Sequence, residues 1–286
     1  MLSGATYKDD TLYYPQDEMK TVLLPVTSGC SYNGCAFCSM YKDVAYRPVP
    51  FAEIETELRS GDTYTEKIFL TGADPMSIGF SKMKRLLEMI RSHLPYCARV
   101  GAYASIQNIA RYSVDELSVL HDAGLRMLYI GFETGRDDVL KMINKGHTVE
   151  QAVEAATKLN QAKLPFNTVV MYGIAGQGEC QSNAVSTAEM INRFETARII
   201  TMNLVVFYGT DLNAMVKRGD FVPASGKERL LELRTLLEHL KPHKRTLFDT
   251  THPTNIIKIE GELPRDQERL IEQVKRQEQL SGQQSS

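Results

Sequence analysis

Short apolar runs of strand length alternate with amphipathic helical segments through most of this chain. Six such runs predict buried strands, at residues 21–27, 67–71, 99–104, 126–132, 166–172 and 201–207. Segments with helical periodicity or capping boxes lie between them, at residues 51–58, 81–94, 113–124, 136–143 and 148–159. Such strand–helix units in series imply a parallel sheet with right-handed crossovers and helices on its outside, which curls into a barrel or partial barrel. Apolar residues make up 43% of the chain, which is enough to form a sizeable hydrophobic core.

The 286 residues are expected to form three segments. These are an N-terminal extension over residues 1–20, the barrel over residues 21–210, and a C-terminal extension over residues 211–286 that closes the open side of the barrel. Ser225 begins a leucine-rich helix of this last segment. The final residues, 281–286, are expected to be frayed. A single barrel with a tail is normal for this length.

The charge of the chain disfavours several classes of partner. A net charge of −2 and a pI near 6.3 give no general basic field for a polyphosphate backbone, so nucleic acid is an unfavoured partner. The amino terminus lacks a basic segment followed by an apolar stretch, and no apolar run approaches membrane-spanning length. We therefore expect a cytoplasmic protein without a membrane segment. Three of the five cysteines are clustered, which is typical of metal ligands in a reducing compartment.

The clustered cysteines are Cys30, Cys35 and Cys38, in a C-x4-C-x2-C loop directly after the first predicted strand. Three thiolates are one ligand too few for a closed zinc site or a fully ligated four-iron cluster. This pattern indicates a metal centre with one position open for chemistry, at the strand end where α/β barrels carry their active sites. The alternative is a zinc site with a remote fourth ligand. Cys97 and Cys180 are more typical of small buried apolar residues than of ligands.

Polar residues follow several other predicted strands. Residues 71–75, Thr-Gly-Ala-Asp-Pro, come directly after the second strand and in isolation are an ordinary turn. Glu133 follows the fourth strand, where it either faces a ligand or caps the next helix. Polar side chains also leave the third and fifth strands, namely Tyr103, Ser105, Gln107, Asn167 and Thr168. Because polar groups in apolar strands need partners, these side chains bind either a ligand or neighbouring backbone.

In their order along the chain these motifs resemble those of radical SAM enzymes, in particular the group that includes the oxygen-independent coproporphyrinogen III oxidases and the Elongator catalytic subunit. The resemblance covers roughly residues 20–210. It implies an α/β fold, a partial (β/α)6 TIM-type barrel, here with a helical C-terminal extension. It also implies that Cys30, Cys35 and Cys38 hold a [4Fe-4S] cluster whose fourth iron binds S-adenosylmethionine (SAM) through its amino and carboxylate groups.

The same resemblance implies a cofactor pocket. Its residues are Phe37 beside the adenine, the backbone of Gly72, Ala73 and Asp74 at the cofactor's ammonium, Glu133 at the ribose or amino group, the backbone near Ile174 on the adenine, and Tyr103, Ser105 and Asn167 as further candidates. Two positions depart from the family. The usual spacing is C-x3-C-x2-C, and Gly34 is expected to supply the backbone angles that the longer loop needs. Tyr172 replaces a glycine of the segment before Ile174.

For function, the resemblance implies reductive cleavage of SAM to a 5'-deoxyadenosyl radical that removes hydrogen from a small or medium-sized substrate. A flavodoxin or ferredoxin would supply the electron. The sequence shows no second cysteine cluster, which counts against sulfur insertion. It also shows no appended basic module, which weakens a role in RNA modification. The alternatives are a non-catalytic zinc or iron–sulfur module, or a radical SAM enzyme that acts on RNA or peptide.

Three residues outside these motifs are candidates for substrate contact. Arg47, just beyond the cysteine loop, either holds an anionic group or braces the loop. His252 and Asn255 belong to a compact polar cluster in the C-terminal extension, which either contacts substrate or forms an Asx-type turn.

Overall fold

The computed structural model of the protein describes residues 13–283. Within this range the strands are β1 (Val22–Pro25), β2 (Thr27–Ser28), β3 (Arg47–Pro48), β4 (Lys67–Thr71), β5 (Arg99–Ala104), β6 (Leu125–Glu133), β7 (Phe166–Tyr172), β8 (Arg198–Asn203), β9 (Thr246–Asp249) and β10 (Glu260–Leu263). The α-helices are α1 (Phe51–Ser60), α2 (Phe80–His93), α3 (Ile106–Ile109), α4 (Val114–Asp122), α5 (Asp137–Met142), α6 (Val149–Gln161), α7 (Cys180–Ile191), α8 (Asp211–Arg218), α9 (Gly226–His239) and α10 (Gln267–Gln283).

Eight of the described strands form one sheet in the order β1-β4-β5-β6-β7-β8-β9-β10, and β2 pairs with β3. The pairing is parallel between β1 and β4 and between β4 and β5, where Leu70 lies opposite Leu24 on one side and Ala102 on the other. It is also parallel between β8 and β9, whereas β10 runs antiparallel to β9. Because successive parallel strands are neighbours and helices connect them, the predicted α/β fold of the partial TIM-barrel class is confirmed.

The chain is divided between two compact units. The first unit contains the chain up to Asn33, Met40–Ile130 and Lys158–Phe166, and the second unit contains Gly34–Ser39, Gly131–Thr157 and the chain from Asn167 onward. The cysteine loop, β6 and α6 each have residues in both units. The three segments predicted from the sequence follow a different division, which stays a prediction.

In the first unit, helix boundaries follow the caps that the sequence indicates. Ser113 and Glu116 form a reciprocal capping box at the start of α4. The helix α2 buries one apolar stripe, made of Met83, Leu86, Leu87 and Ile90. Their spacing places all four on one helix face, which explains why the sequence pattern predicted this helix.

In the second unit, the C-terminal extension adds a helical layer and two strands. Ser225 and Glu228 form the capping box that starts α9. The helix α9 packs against α7, and α10 packs against α9. The strands β9 and β10 continue the sheet beyond β8. The extension therefore contributes to the core of this unit.

Some predicted boundaries are wrong. The sixth strand lies at Arg198–Asn203 and not at residues 201–207. Residues 199–207 are almost continuously apolar, so a period of two could not fix the register. Residues 281–283 belong to α10, whereas residues 284–286, like residues 1–12 of the N-terminal extension, lie outside the described residues, and the expected fraying stays a prediction. In the part of the chain that the structure describes, no helix is long and apolar enough to cross a membrane.

Candidate functional site

The first unit holds the start of the cysteine loop, directly after β2. Asn33 has a positive φ of 49°, and its backbone N–H donates to Cys30 Sγ at 3.3 Å. Its side-chain amide donates to the carbonyl of Tyr41, and its own carbonyl accepts from Lys42 Nζ, both at 3.0 Å. The prediction that Gly34 supplies the unusual backbone angles is wrong, because Asn33 and not Gly34 has the positive φ. Asparagine tolerates this region better than most other non-glycine residues.

Gly72 lies where β4 ends, and its φ of 120° is closed to most other residues. A Cβ at this position would lie 2.1 Å from Thr27 Oγ1 and 2.5 Å from the Thr27 carbonyl oxygen. The loop after β4 therefore packs its backbone directly on the strand that leads into the cysteine loop. The hydroxyls of Thr27 and Thr71 are buried without a hydrogen-bond partner among the described residues, so polar capacity is left at this corner.

Asp74 follows Gly72 and half-buried Ala73, and its side chain is 3% exposed. Its Oδ1 accepts the Met76 N–H at 3.1 Å, and its Oδ2 accepts from Ser105 N–H at 3.0 Å, Ser105 Oγ at 2.5 Å and Asn108 Nδ2 at 2.6 Å. Burial raises the pKa of Asp74 to about 6, although the hydrogen bonds oppose that rise. The side chain is thus fully engaged by protein donors and fixes this turn. A role of the backbone toward a cofactor stays a prediction.

Ser105 and Tyr103, at the end of β5, also have partners within the first unit. Ser105 is the N-cap of α3, and its Oγ accepts the Asn108 N–H at 3.3 Å. The Tyr103 ring packs edge-on against Phe69 at a centroid distance of 5.2 Å and against Tyr129 at 6.1 Å. Burial raises the pKa of Tyr103 above its ordinary value. These contacts support the alternative that both side chains bind their neighbours.

The second unit holds the other two cysteines in a tight turn, in which the Cys38 N–H donates to the Cys35 carbonyl at 3.4 Å. Ala36 anchors this turn in two directions. Its N–H donates to the carbonyl of Ile143 at 2.8 Å, and its carbonyl accepts the Leu212 N–H at 2.9 Å. The turn is therefore fixed to the end of α5 and to the start of α8.

Phe37 packs on an apolar cluster of the second unit. The buried members of this cluster are Val139, Ile143, Met171, Ile174, Leu204, Leu212 and Phe221. The structure thus brings together Phe37 and Ile174, the two residues expected at the adenine. Ile174 is fully buried, and its backbone contact with the adenine stays a prediction. Asn167, on β7, is also buried.

Glu133 ends β6 with a positive φ of 64° and is 6% exposed. Its Oε1 accepts a hydrogen bond from Lys145 Nζ at 2.5 Å. A Cβ on Gly131 would lie 2.4 Å from Glu133 Oε1 and 3.0 Å from Lys145 Nζ, so glycine makes room for this ion pair. The helix-cap alternative for Glu133 is wrong, because Arg136 is the N-cap of α5. Non-glycine residues with a positive φ are uncommon, and backbone strain of this kind occurs most often at binding sites.

Lys145 is the main residue that the sequence reasoning missed. Burial would lower its pKa, but the Glu133 carboxylate, the Cys35 sulfur and the Cys38 sulfur together raise it above the ordinary value. Its Nζ lies 5.7 Å from the centroid of the Phe37 ring. One buried cation thus faces a carboxylate, two cysteines and an aromatic ring. No local pattern marks it, because the contact arises only when the segment after α5 folds back on β6.

The three substrate candidates each have partners within their own unit. Arg47 is exposed on β3, where it pairs with Ser28, so its backbone braces the entry to the cysteine loop. His252 Nδ1 lies 2.8 Å from Thr254 Oγ1 within a turn, and burial lowers the pKa of the ring. Asn255 donates its amide to two backbone carbonyls at 2.7 and 2.9 Å. These bonds support the structural alternatives, and the substrate roles stay predictions.

The other two cysteines differ in burial. Cys180 is buried, as expected, whereas Cys97 is half-buried. Among the described residues, no group of three or more histidine, cysteine or acidic side chains is placed to hold a single metal ion. The assignment of Cys30, Cys35 and Cys38 as ligands rests on their spacing and stays a proposal.

The first unit thus holds the start of the cysteine loop and a glycine-dependent turn, and the second unit holds the other two cysteines and an acid–lysine pair. The family of the chain follows from sequence comparison. The model of the radical SAM superfamily matches residues 24–188, more than half of the chain, and the chain belongs to this superfamily. Its members use a [4Fe-4S] cluster and SAM.

Curated relatives match parts of the chain. The heme chaperone HemW of Bacillus subtilis (strain 168) is 26% identical over 151 residues, which cover 52% of this chain and 39% of that protein. The bacteriochlorophyllide d C-12(1)-methyltransferase of Chlorobaculum tepidum is 27% identical over 188 residues, which cover 63% of this chain and 40% of that protein. The chain therefore spans about two fifths of the length of these relatives.

Solved structures share the fold. Methylornithine synthase (PylB) superposes on this chain with a TM-score of 0.57 at 14% sequence identity. The match covers 79% of this chain and 63% of the methylornithine synthase chain. The Methanocaldococcus infernus Elp3 with an N-terminal deletion gives a TM-score of 0.56 at 15% identity and covers 92% and 63%, respectively. At these identities the similarity establishes the fold alone.

Proposed function

We propose that this chain binds a [4Fe-4S] cluster through Cys30, Cys35 and Cys38, cleaves SAM reductively there, and uses the resulting 5'-deoxyadenosyl radical to remove hydrogen from a small-molecule substrate. The observation that carries the proposal is the C-x4-C-x2-C loop directly after the first strands, inside the region that matches the superfamily. A flavodoxin or ferredoxin would donate the electron, in the cytoplasm.

The cysteine loop fits a cluster by its chemistry. Thiolates are soft ligands that suit iron–sulfur centres. The Asn33 N–H that donates to Cys30 Sγ is the kind of contact that tunes the reduction potential of a cluster. The extra residue of this loop thus has a physical role, because the left-handed Asn33 aims its N–H at the sulfur.

The Glu133–Lys145 pair fits the amino-acid end of SAM, which carries an ammonium and a carboxylate on one carbon. We assign Glu133 to the ammonium or ribose hydroxyls and Lys145 to the carboxylate, because each would meet an opposite charge or a hydrogen-bond partner. The low exposure of both side chains strengthens these interactions by excluding water. Phe37 and the backbone of Ile174 would hold the adenine.

The backbone of Gly72 and Ala73 remains a proposed acceptor for the ammonium. The buried unpartnered hydroxyls of Thr27 and Thr71 support a polar group at this corner. Asp74 would act by holding the turn in place, since four protein donors already occupy its side chain.

Anaerobic reconstitution of Cys35→Ala beside the wild type tests the proposal. The wild type should bind about four irons per chain and form 5'-deoxyadenosine from SAM when a reductant is added. Cys35→Ala should lose both while its circular dichroism spectrum stays unchanged. Cys97→Ala, a cysteine outside the loop, is the matched control and should keep both. Iron and 5'-deoxyadenosine retained in Cys35→Ala would refute the ligand assignment, and a single zinc in the wild type would favour the non-catalytic alternative.

A further inference from the structure

The loop that follows β7, residues 173–178, loses much backbone conformational entropy when it becomes ordered. Gly173, Gly176 and Gly178 have φ values of 74°, 88° and 81°. Glycines lose more backbone entropy on ordering than other residues, so a loop with three of them needs external contacts to keep one conformation. This loop contains Ile174, whose backbone is proposed to contact the adenine of SAM.

The contacts that order this loop come from the C-terminal extension. Three backbone N–H groups of the loop donate to it: Gly173 to Glu232 Oε2 at 2.7 Å, Gln177 to the Val222 carbonyl at 2.8 Å, and Gly178 to Glu228 Oε1 at 2.7 Å. Glu228 is half-buried at the helix cap, whereas Glu232 is 1% exposed. Of these acceptors, Glu232 is the one that lies deepest in the unit.

Glu232 also reaches the segment that carries Glu133. Its Oε1 accepts from Asn183 Nδ2 at 2.7 Å, and Asn183 Oδ1 in turn accepts from Thr134 Oγ1 at 2.5 Å. Thr134 directly follows Glu133 and is fully buried. One carboxylate on α9 is thereby connected to both segments of the second unit that are proposed to hold SAM, directly to the β7 loop and through Asn183 to the end of β6.

The placement of Glu232 is costly for the fold. Burial raises its pKa to about 7, while the hydrogen bonds from Asn183 and Gly173 and the charge of Arg229 oppose the rise. The neighbouring ionisable groups are Cys180 on α7, Tyr172 on β7, and Glu228 and Arg229 on α9. An apolar residue would fill this position at lower cost, so the carboxylate is explained by what it holds.

We infer that Glu232 is a positioning residue for SAM: its carboxylate holds the β7 loop and the Glu133–Gly135 segment in register, so that the C-terminal extension sets the affinity for the cofactor. The inference rests on the proposed function, because it concerns the same pocket. It assigns no contact between Glu232 and the cofactor itself.

Glu232→Met tests this inference, because methionine is similar in size and offers no comparable acceptor. In the cluster-loaded variant, hydrogen exchange of residues 173–178 should be about tenfold faster, and the concentration of SAM that produces the half-maximal change in the cluster's electron-resonance spectrum should rise about tenfold. The spectrum at saturation and the iron content should match those of the wild type. Glu238→Met, on the exposed side of the same helix, is the matched control and should change neither quantity.

Glu232→Gln should recover most of the loss. The Asn183 amide can reverse, so that the glutamine oxygen accepts the Gly173 N–H and the glutamine nitrogen donates to Asn183. Should Glu232→Met not fold, the wild type still decides the matter: residues 173–178 should exchange more slowly than the loop after β8, at residues 207–210. Equal exchange of the two loops would overturn the inference.

The outcomes separate the two proposals. A wild type that binds SAM, with Glu232→Met equal to it in affinity and in exchange of residues 173–178, overturns the inference alone. A wild type that holds the cluster but shows no response to SAM overturns the proposed function and the inference with it.

Discussion

Asp74 in the first unit and Glu232 in the second are both buried carboxylates that hold a loop at the end of a parallel strand, but different parts of the chain surround them. Asp74 accepts four hydrogen bonds, the most distant from a residue 34 positions away. Glu232 accepts hydrogen bonds from Asn183 and Gly173, which lie 49 and 59 positions away in the sequence. The first loop is thus held by its own turn and by the segment that follows the neighbouring strand β5, whereas the second depends on a helix of the C-terminal extension.

This difference indicates what the extension contributes to the proposed cofactor site. The turn around Asp74 is held by contacts with the segments at Thr27 and Ser105, within the first unit. The β7 loop reaches its conformation only when α9 packs against α7. We therefore expect changes in the first loop to act on folding and changes in the second to act on cofactor affinity.

The largest difference should come from alanine at the first glycine of each loop. In Gly72→Ala the new Cβ meets the backbone of Thr27 at 2.5 Å, and the positive φ adds strain, so we expect a loss of about 3 kcal/mol or more in unfolding free energy. In Gly173→Ala the nearest atom is Arg229 Nε at 2.9 Å, on a side chain that can move, and the loss should be about 1–2 kcal/mol.

Urea unfolding of both glycine variants measures this difference. Gly79→Ala is the control for the first, because φ there is 84° and nothing lies within 4 Å of the new Cβ. Equal losses in Gly72→Ala and Gly79→Ala would show that the contact with Thr27 does not restrain the first loop.

A smaller difference should separate Asp74→Asn from Glu232→Gln. The donors to Asp74 include the fixed N–H groups of Met76 and Ser105 on opposite oxygens, so one of them must face the new amide group. We expect a loss of about 2 kcal/mol in unfolding free energy. For Glu232→Gln, reversal of the Asn183 amide keeps the bonds, and the loss should stay below about 1 kcal/mol.

Chemical unfolding at one pH gives both values. Asp115→Asn, an exposed acid in α4, serves as the control for the first unit and should have little effect. A larger loss for Glu232→Gln than for Asp74→Asn would contradict the distinction between the two carboxylates.

Glu133→Ala should affect cofactor binding more than iron content. Without the carboxylate, Lys145 loses its partner and the pocket loses its acceptor for the ammonium or ribose, so SAM affinity should fall about tenfold, or ~1.4 kcal/mol. Isothermal titration of the reconstituted protein measures the affinity, and colorimetric analysis measures the iron. Unchanged affinity would remove Glu133 from the pocket.

The smallest effect should be a pH dependence of stability. The folded-state pKa values of about 6 for Asp74 and about 7 for Glu232 lie above the unfolded values of 3.8 and 4.5. The stability that the neutral groups contribute is complete below the unfolded pKa and is lost as the pH rises through the folded pKa. The unfolding free energy of the wild type should therefore decline between about pH 4 and pH 7 relative to Asp74→Asn and Glu232→Gln.

Unfolding curves of the three proteins over this pH range check the sign. For Asp74 the decline should be complete at lower pH than for Glu232. Wild-type stability that rises with pH relative to both variants would contradict the burial argument.

The parts of the molecule that follow local rules were predictable from the sequence. The strand at Lys67–Thr71 matched its prediction, because a short apolar run of this length with polar flanks is typical of a buried strand. The cysteine loop was found because ligand spacing is local. Lys145 and Glu232 were not, since each acts through a contact formed by remote packing. The prediction chose Gly34 over Asn33 because glycine has the highest propensity for a positive φ. In the structure Asn33 has the positive φ, because its N–H donates to the Cys30 sulfur.

The electron-resonance spectrum of the reduced, anaerobically reconstituted wild type, recorded with and without SAM, tests the central claim most directly. A cluster held by three cysteines with one open iron predicts a [4Fe-4S] signal that changes when SAM is added. A spectrum that is identical with and without SAM, or a protein that takes up zinc and no iron, would contradict it.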